Sequence, residues 1–197
     1  MDKKIGRSLA IIVFSAIMLL LIGSMALAED TVYKGVYFNG GTLSLSGAES
    51  GSKSVGNSFA FAVERALEIN ESFELGYGGG LQLSGDIEGD PFNGCKCIPL
   101  YLLLNYYPLS VEGVPYLTGQ VGYNFMLYDV NEKEGTLRGL YYAVGAGIRI
   151  PRYPSIRVEI LYTVNNGSGN VKYYFLPNEE KLTASLSRIS LAIGLGF

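Results

Sequence analysis

The sequence closes on LSRISLAIGLGF, residues 186–197, and this run limits what the chain can fold into more than any other feature. From Ile189 onward the bulky apolar residues Ile189, Leu191, Ile193, Leu195 and Phe197 hold every odd position, and Ser190, Ala192, Gly194 and Gly196 fill the even ones. Side chains that alternate with period two lie on opposite faces of a strand, so this is a strand with two chemically different faces. The same pattern recurs along the chain. Phe73 to Leu83 places Phe73, Leu75, Tyr77, Leu81 and Leu83 against Glu74, Gly76, Gly78, Gly80 and Gln82. Leu117 to Leu127, Leu140 to Ile150 and Ile156 to Val164 repeat it. Three segments fit less regularly: Ile98 to Tyr106, Phe59 to Ile69, and Val32 to Ser46, whose phase changes at Asn39-Gly40-Gly41, where a glycine bulge would re-aim the side chains. Eight strands result.

Short and long connections alternate between them. Residues 70–72, 108–115 and 151–154 are short joints, while 47–56, 85–97, 129–136 and 165–184 are mostly longer. Long connections would therefore gather at one end and both termini at the other, as in an antiparallel up-and-down meander. An even strand number lets such a meander close without exposed edges. The fold class expected is all-β, an eight-stranded up-and-down barrel.

Residue type on the second face indicates which solvent each face meets. A soluble barrel points its bulky apolar residues inward, but here the opposite face is rich in Gly, Ala, Ser and Gln, which suits a narrow lumen. Strands of about ten residues, apolar on the outside and joined by short turns on one side, are the pattern of a membrane barrel. A backbone in lipid must pair every N–H and C=O, and a closed barrel does so.

The N-terminus fits an exported chain. Lys3, Lys4 and Arg7 precede an apolar stretch from Leu9 to Ile22, and Ala26-Leu27-Ala28 has the small-x-small form of a cleavage site. Residues 1–28 are expected to be a cleaved signal peptide, with an uncleaved anchor as the alternative, and residues 29–197 the barrel domain. The composition is 48% hydrophobic with a net charge of −3, and neither value points to a nucleic-acid partner.

On these residues the chain resembles the small eight-stranded outer-membrane β-barrels of the OmpA-transmembrane and OmpX kind. The terminal run Leu191, Ile193, Leu195 and Phe197 resembles the signal read by the barrel assembly machinery. Tyr106-Tyr107-Pro108 and Val121-Gly122-Tyr123-Asn124-Phe125 are also similar to that superfamily. The resemblance implies residence in the outer membrane, contact with its lipids, and a monomeric barrel. The chain has no Trp, so Tyr and Phe would have to form the interfacial girdle.

The face assignment turns Glu64, Glu68, Glu74 and Glu159 inward with Arg149, Arg157 and Arg188. An eight-stranded barrel is just wide enough to be filled by side chains, so these charges are expected to pair as a plug. A gated ion path through them is the alternative. Arg65 falls on the apolar face, where an Arg at the bilayer midplane costs about 2–4 kcal/mol; either it snorkels to the periplasmic edge or the register there is offset by one.

Barrel-embedded enzymes that resemble this scaffold use a His as base, and the chain has none. No catalytic residue, metal site or cofactor is expected. Cys95 and Cys97 fall in a predicted external loop, where a strained disulfide is the leading reading; reduced or intermolecular thiols and a redox or metal role are the alternatives. In the longest predicted loop Asn170 to Leu176 has strand composition, and Tyr173, Tyr174 and Phe175 could meet a surface protein partner or pack on neighbouring loops. The function expected is structural or adhesive, with a small-solute channel and a secreted ligand-binding barrel as the other readings.

Overall fold

The computed structural model describes residues 30–88, 94–109, 115–130, 132–150, 154–174 and 179–197. The expected signal peptide and Phe175 lie outside them. The strands are β1 (Asp30–Phe38), β2 (Gly41–Gly47), β3 (Gly51–Val55), β4 (Ser58–Asn70), β5 (Phe73–Leu83), β6 (Gly94–Tyr106), β7 (Pro115–Val130), β8 (Lys133–Ile150), β9 (Ser155–Tyr173) and β10 (Glu179–Gly196). All pairings between neighbouring strands are antiparallel, and pairing of β1 with β10 closes the sheet. β1 and β2 stack end to end on β10, and β3 and β4 stack end to end beside them, so the ring has eight positions.

The break between β1 and β2 is the expected bulge. Phe38 pairs with Ser190 and Thr42 with Ser187, so Asn39, Gly40 and Gly41 stand opposite Ile189 and Arg188 alone. Gly40 has φ of 66°, a left-handed conformation natural to glycine. The inward face passes from even positions, Val32, Lys34 and Phe38, to odd ones, Leu43 and Leu45.

Several strands run further than the sequence pattern suggests. β9 and β10 pair from Gly196–Ser155 up to Glu179–Lys172, and β7 and β8 pair as far as Val130–Lys133. Most of the loops expected at 129–136 and 165–184 are therefore barrel wall. The polarity of the two faces reverses with height, which hid them. On β10 the outward residues are Ile189, Leu191, Ile193 and Leu195 below but Thr183, Ser185 and Ser187 above. Inward, Arg188 and Ser190 give way to Leu182, Ala184 and Leu186. On β8 the outward Leu140, Tyr142 and Val144 give way to Glu134, Thr136 and Arg138.

The lower half thus carries an exposed apolar band around a polar interior. The upper half has a polar outside around a dry core of Leu43, Val55, Ile87, Met126, Leu137 and Leu182. Each such fully buried side chain contributes about 1.5–3 kcal/mol, so the upper wall is held as a soluble barrel is held. Below, Ile189 to Phe197 has the roughly 9–11 residues a tilted strand needs to cross a bilayer. Tyr33, Tyr37, Phe59, Tyr106, Tyr123, Tyr162 and Phe197 stand exposed on the band. A secreted ligand-binding barrel would need those faces reversed, and that reading is set aside.

Candidate functional site

The lower interior is built by alternate residues of every strand, and its centre is a lysine that the sequence pattern did not single out. Lys34, on β1, is 2% exposed. Its Nζ lies 2.6 Å from Glu64 Oε2 on β4, and 2.7 and 2.6 Å from the two carboxylate oxygens of Glu159 on β9. Tyr101 donates to Glu64 at 2.9 Å, and Gln120 Nε2 donates to the same carboxylate at 3.2 Å; Tyr141 in turn donates to Gln120 at 2.7 Å. Tyr116 donates to Glu159. Two carboxylates share one ammonium and are completed by neutral donors, as buried charges must be.

A second cluster gathers on Glu74 of β5. Arg149 and Arg157 both pair with it, the latter at 3.2 Å. Asn105 donates at 3.1 Å and Tyr107 at 2.9 Å. Here one carboxylate is shared between two guanidinium groups, the converse of the Lys34 arrangement.

Two of the seven charges grouped by the sequence stand apart. Glu68 pairs in register with Glu74 next to the irregularity that ends β4, and it is exposed at the turn end. Arg188 is fully buried, but among the described residues it meets no carboxylate. Its Nη atoms donate to Gln82 Oε1 at 2.6 Å, Leu83 O at 2.9 Å and Ser58 Oγ at 3.3 Å, and its guanidinium lies 3.7 Å from the centre of the Phe38 ring. Lining up on one face does not bring charges to one height, which is why Arg188 left the group. Arg65 faces outward near the turn end, half-buried, and donates to Thr31 Oγ1 at 3.0 Å.

The interior is close-packed. A cavity beside Lys34, Glu64, Gln120 and Tyr141 has a volume of about 20 Å³, room for about one water molecule. Glycines make room for the large rings: Tyr101 lies between Gly78 on β5 and Gly122 on β7, its register partners. A Cβ at Gly78 would sit 2.9 Å from that ring.

The cysteines correct the loop reading. Cys95 and Cys97 lie within β6, both inward and buried, and both are free thiols. Residues i and i+2 of a strand point the same way with Cβ atoms about 6.6 Å apart, beyond the roughly 3.5–4.5 Å between the Cβ atoms of a disulfide, so closing one here would require the backbone to leave the strand. At the rim Tyr174 is 48% exposed and donates to Asp129, while Lys133 Nζ stands 4.8 Å from the centre of the Tyr173 ring. Leu191, Ile193, Leu195 and Phe197 face outward on the apolar band.

A closed antiparallel ring with an apolar exterior and a salt-bridged interior defines a small membrane-spanning β-barrel. The sequence matches the family model for the outer membrane protein beta-barrel domain over residues 14–195, and the chain belongs to that family. It is a protein of the outer membrane. Among solved structures it is similar to the outer membrane protein OprG from Pseudomonas aeruginosa, at 14% identity and a TM-score of 0.55, covering 86% of this chain and 96% of that one. Neisserial surface protein A aligns at 13% identity and 0.53, covering 85% and 97%. The attachment invasion locus protein Ail of Yersinia pestis aligns at 13% and 0.50, covering 86% and 99%. At these identities the likeness is one of fold. No curated protein matches the sequence.

Proposed function

We propose that this barrel is a non-conducting, non-catalytic scaffold that carries its raised outer wall and hairpins for contact with a partner at the cell surface. The observation behind this is the filled interior. The ion pairs around Lys34 and Glu74 span the lower lumen, and the cavity beside them holds about one water, so an ion entering would have to break buried pairs that cost several kcal/mol to disrupt. The absence of His removes the base that related barrel enzymes use. Ail, a similar fold, is named for attachment.

In this reading residues 1–28 direct export and are removed. The terminal strand is read by the assembly machinery, and the mature barrel works as a monomer in outer-membrane lipid. Tyr173 and Tyr174 form part of the contact surface at the β9 rim. Cells displaying the protein should adhere to a host-cell layer, and Tyr173→Ser with Tyr174→Ser should reduce that adhesion without changing surface level. Undiminished adhesion would overturn the assignment of those residues. Conductance steps from the purified barrel in planar bilayers would overturn the non-conducting scaffold.

A further inference from the structure

The dry upper core holds three soft donors side by side. Cys95 and Cys97 point inward from β6, and Met126 stands directly opposite Cys97 in the β6–β7 register. All three are at most 2% exposed. Directly opposite residues on neighbouring strands have Cβ atoms about 4.5–5.5 Å apart, and diagonal ones, as Cys95 and Met126 are, about 7–8 Å, within reach of a long side chain such as Met. On the other side of Cys97, Gln82 of β5 is its register partner, and Gln82 accepts from Arg188 Nη2 at 2.6 Å. The guanidinium thus reaches across the lumen from β10 to Gln82, the register partner of Cys97.

Among the interior guanidinium groups Arg188 differs: Arg149 and Arg157 each have a carboxylate, as Lys34 does, whereas Arg188 has none among the described residues. A buried cation held only by neutral acceptors is costly, and an anion forming at the thiols would neutralise it. A cavity of about 680 Å³, lined by Ser84, Cys95, Lys96, Tyr128 and Asp129 among others, lies against Cys95 at the edge of this cluster.

We propose that Cys95, Cys97 and Met126 bind a single thiophilic monovalent metal ion of the copper(I) or silver(I) type, with Arg188 as the counter-charge. On binding, the two S–H protons pass to solvent as two metal–sulfur bonds form. The metal keeps its oxidation state and no electrons move. The bis-thiolate carries one negative charge, which Arg188 balances, and the Met126 thioether completes the site without adding charge. Thiolate and thioether are the donors that select copper(I). A tetrahedral zinc site would need a fourth ligand, and among the described residues no group of three or more His, Cys, Asp or Glu side chains is placed to hold a metal. The plainer role for these residues is as small apolar filling, and the two roles separate cleanly on titration.

The folded barrel, purified from outer membranes and reduced, is titrated with silver(I) in the presence of excess free methionine as competitor and read by native mass spectrometry. One silver per chain is expected, with both thiols protected together from alkylation. Cys95→Ser and Cys97→Ser should each abolish the retained ion. Met126→Leu, which keeps the packing volume, should weaken it, and Arg188→Gln, which removes the counter-charge, should weaken it about 10–100-fold. Heat-modifiable migration checks that each variant is folded, and Met126→Leu carries the test if a cysteine variant is not. Two silver ions per chain, no silver in the folded barrel, or full affinity in either single-cysteine variant would overturn the proposal.

Discussion

Lys34 Nζ sits 2.7 and 2.6 Å from the two oxygens of Glu159, across a lumen in which both residues are at most 2% exposed. The same ammonium reaches Glu64 at 2.6 Å. One cation therefore neutralises two carboxylates from different strands, and β1, β4 and β9 are tied through a single side chain.

Removing that cation should be among the most damaging point changes in the barrel. Lys34→Met leaves Glu64 and Glu159 buried without their counter-ion, and breaking a buried pair costs about 3–5 kcal/mol. The midpoint of urea unfolding, followed by the shift between folded and unfolded bands on gels, should fall accordingly. Adding Glu64→Gln and Glu159→Gln should recover part of the loss, because the neutral amides need no counter-ion. A Lys34→Met barrel as stable as the parent would show that the pairs contribute nothing.

The strand pattern made much of this visible. The alternation in Ile189–Phe197 specifies both faces of β10, and the same alternation puts Glu64, Glu74, Glu159 and Arg157 inside. Lys34 stayed hidden because the bulge at Asn39–Gly41 breaks the phase of the first strand. Tyr33 and Tyr37, outward aromatic residues on odd positions, carried the signal that would have placed it. The cysteines were misread for a different reason. Above the lipid-facing band the outward residues turn polar, so a wall that continues as strand looks like loop. Alternation reports which residues share a face, but it does not report height along the barrel, and height is what separates Arg188 from the carboxylates.

Gly122 should tolerate no side chain. A Cβ there would lie 1.9 Å from the carbonyl oxygen of Leu100 and 2.5 Å from the Cα of Tyr101 on the neighbouring strand. The obstacle is backbone, which cannot rotate away. Gly122→Ala should cost at least the ~1–3 kcal/mol typical of overpacking, seen as a lower unfolding midpoint. By contrast Gly119→Ala, where a Cβ meets nothing within 4 Å, should leave the midpoint unchanged.

The β2–β3 hairpin should respond to acid before the barrel does. Glu49 and Lys53 pair at 2.9 Å, and Tyr128 donates to Glu49 at 3.0 Å. Burial raises the Glu49 pKa, but the hydrogen bonds from Lys53 and Tyr128 outweigh it and hold the carboxyl below its ordinary value. A lowered carboxylate pKa contributes stability above the unfolded-state value and loses it as pH falls through the folded one. Hydrogen exchange at residues 44–54 should therefore quicken as pH drops below the usual carboxylate range, after correction for intrinsic rates. Glu49→Gln should remove that acid response, and an unaltered response in the variant would assign it to another group.

Closure of the ring depends on the last residue. Phe197 N–H donates to Thr31 O and Thr31 N–H to Phe197 O, both at 3.0 Å. The Phe197 ring packs edge-on against Tyr33 with centroids 6.3 Å apart. Deleting Phe197 removes two backbone hydrogen bonds worth about 0.5–1.5 kcal/mol each and an aromatic pair worth a similar amount, all at the β1–β10 seam. Phe197→Ala keeps the backbone bonds and loses the ring contact alone. Refolded in detergent, the substitution should lower the unfolding midpoint slightly and the deletion more. In cells, if the terminal run is what the assembly machinery reads, both should reduce the heat-modifiable band far beyond the difference seen in detergent. Equal losses in the two settings would mean that Phe197 acts only as a clasp for the seam.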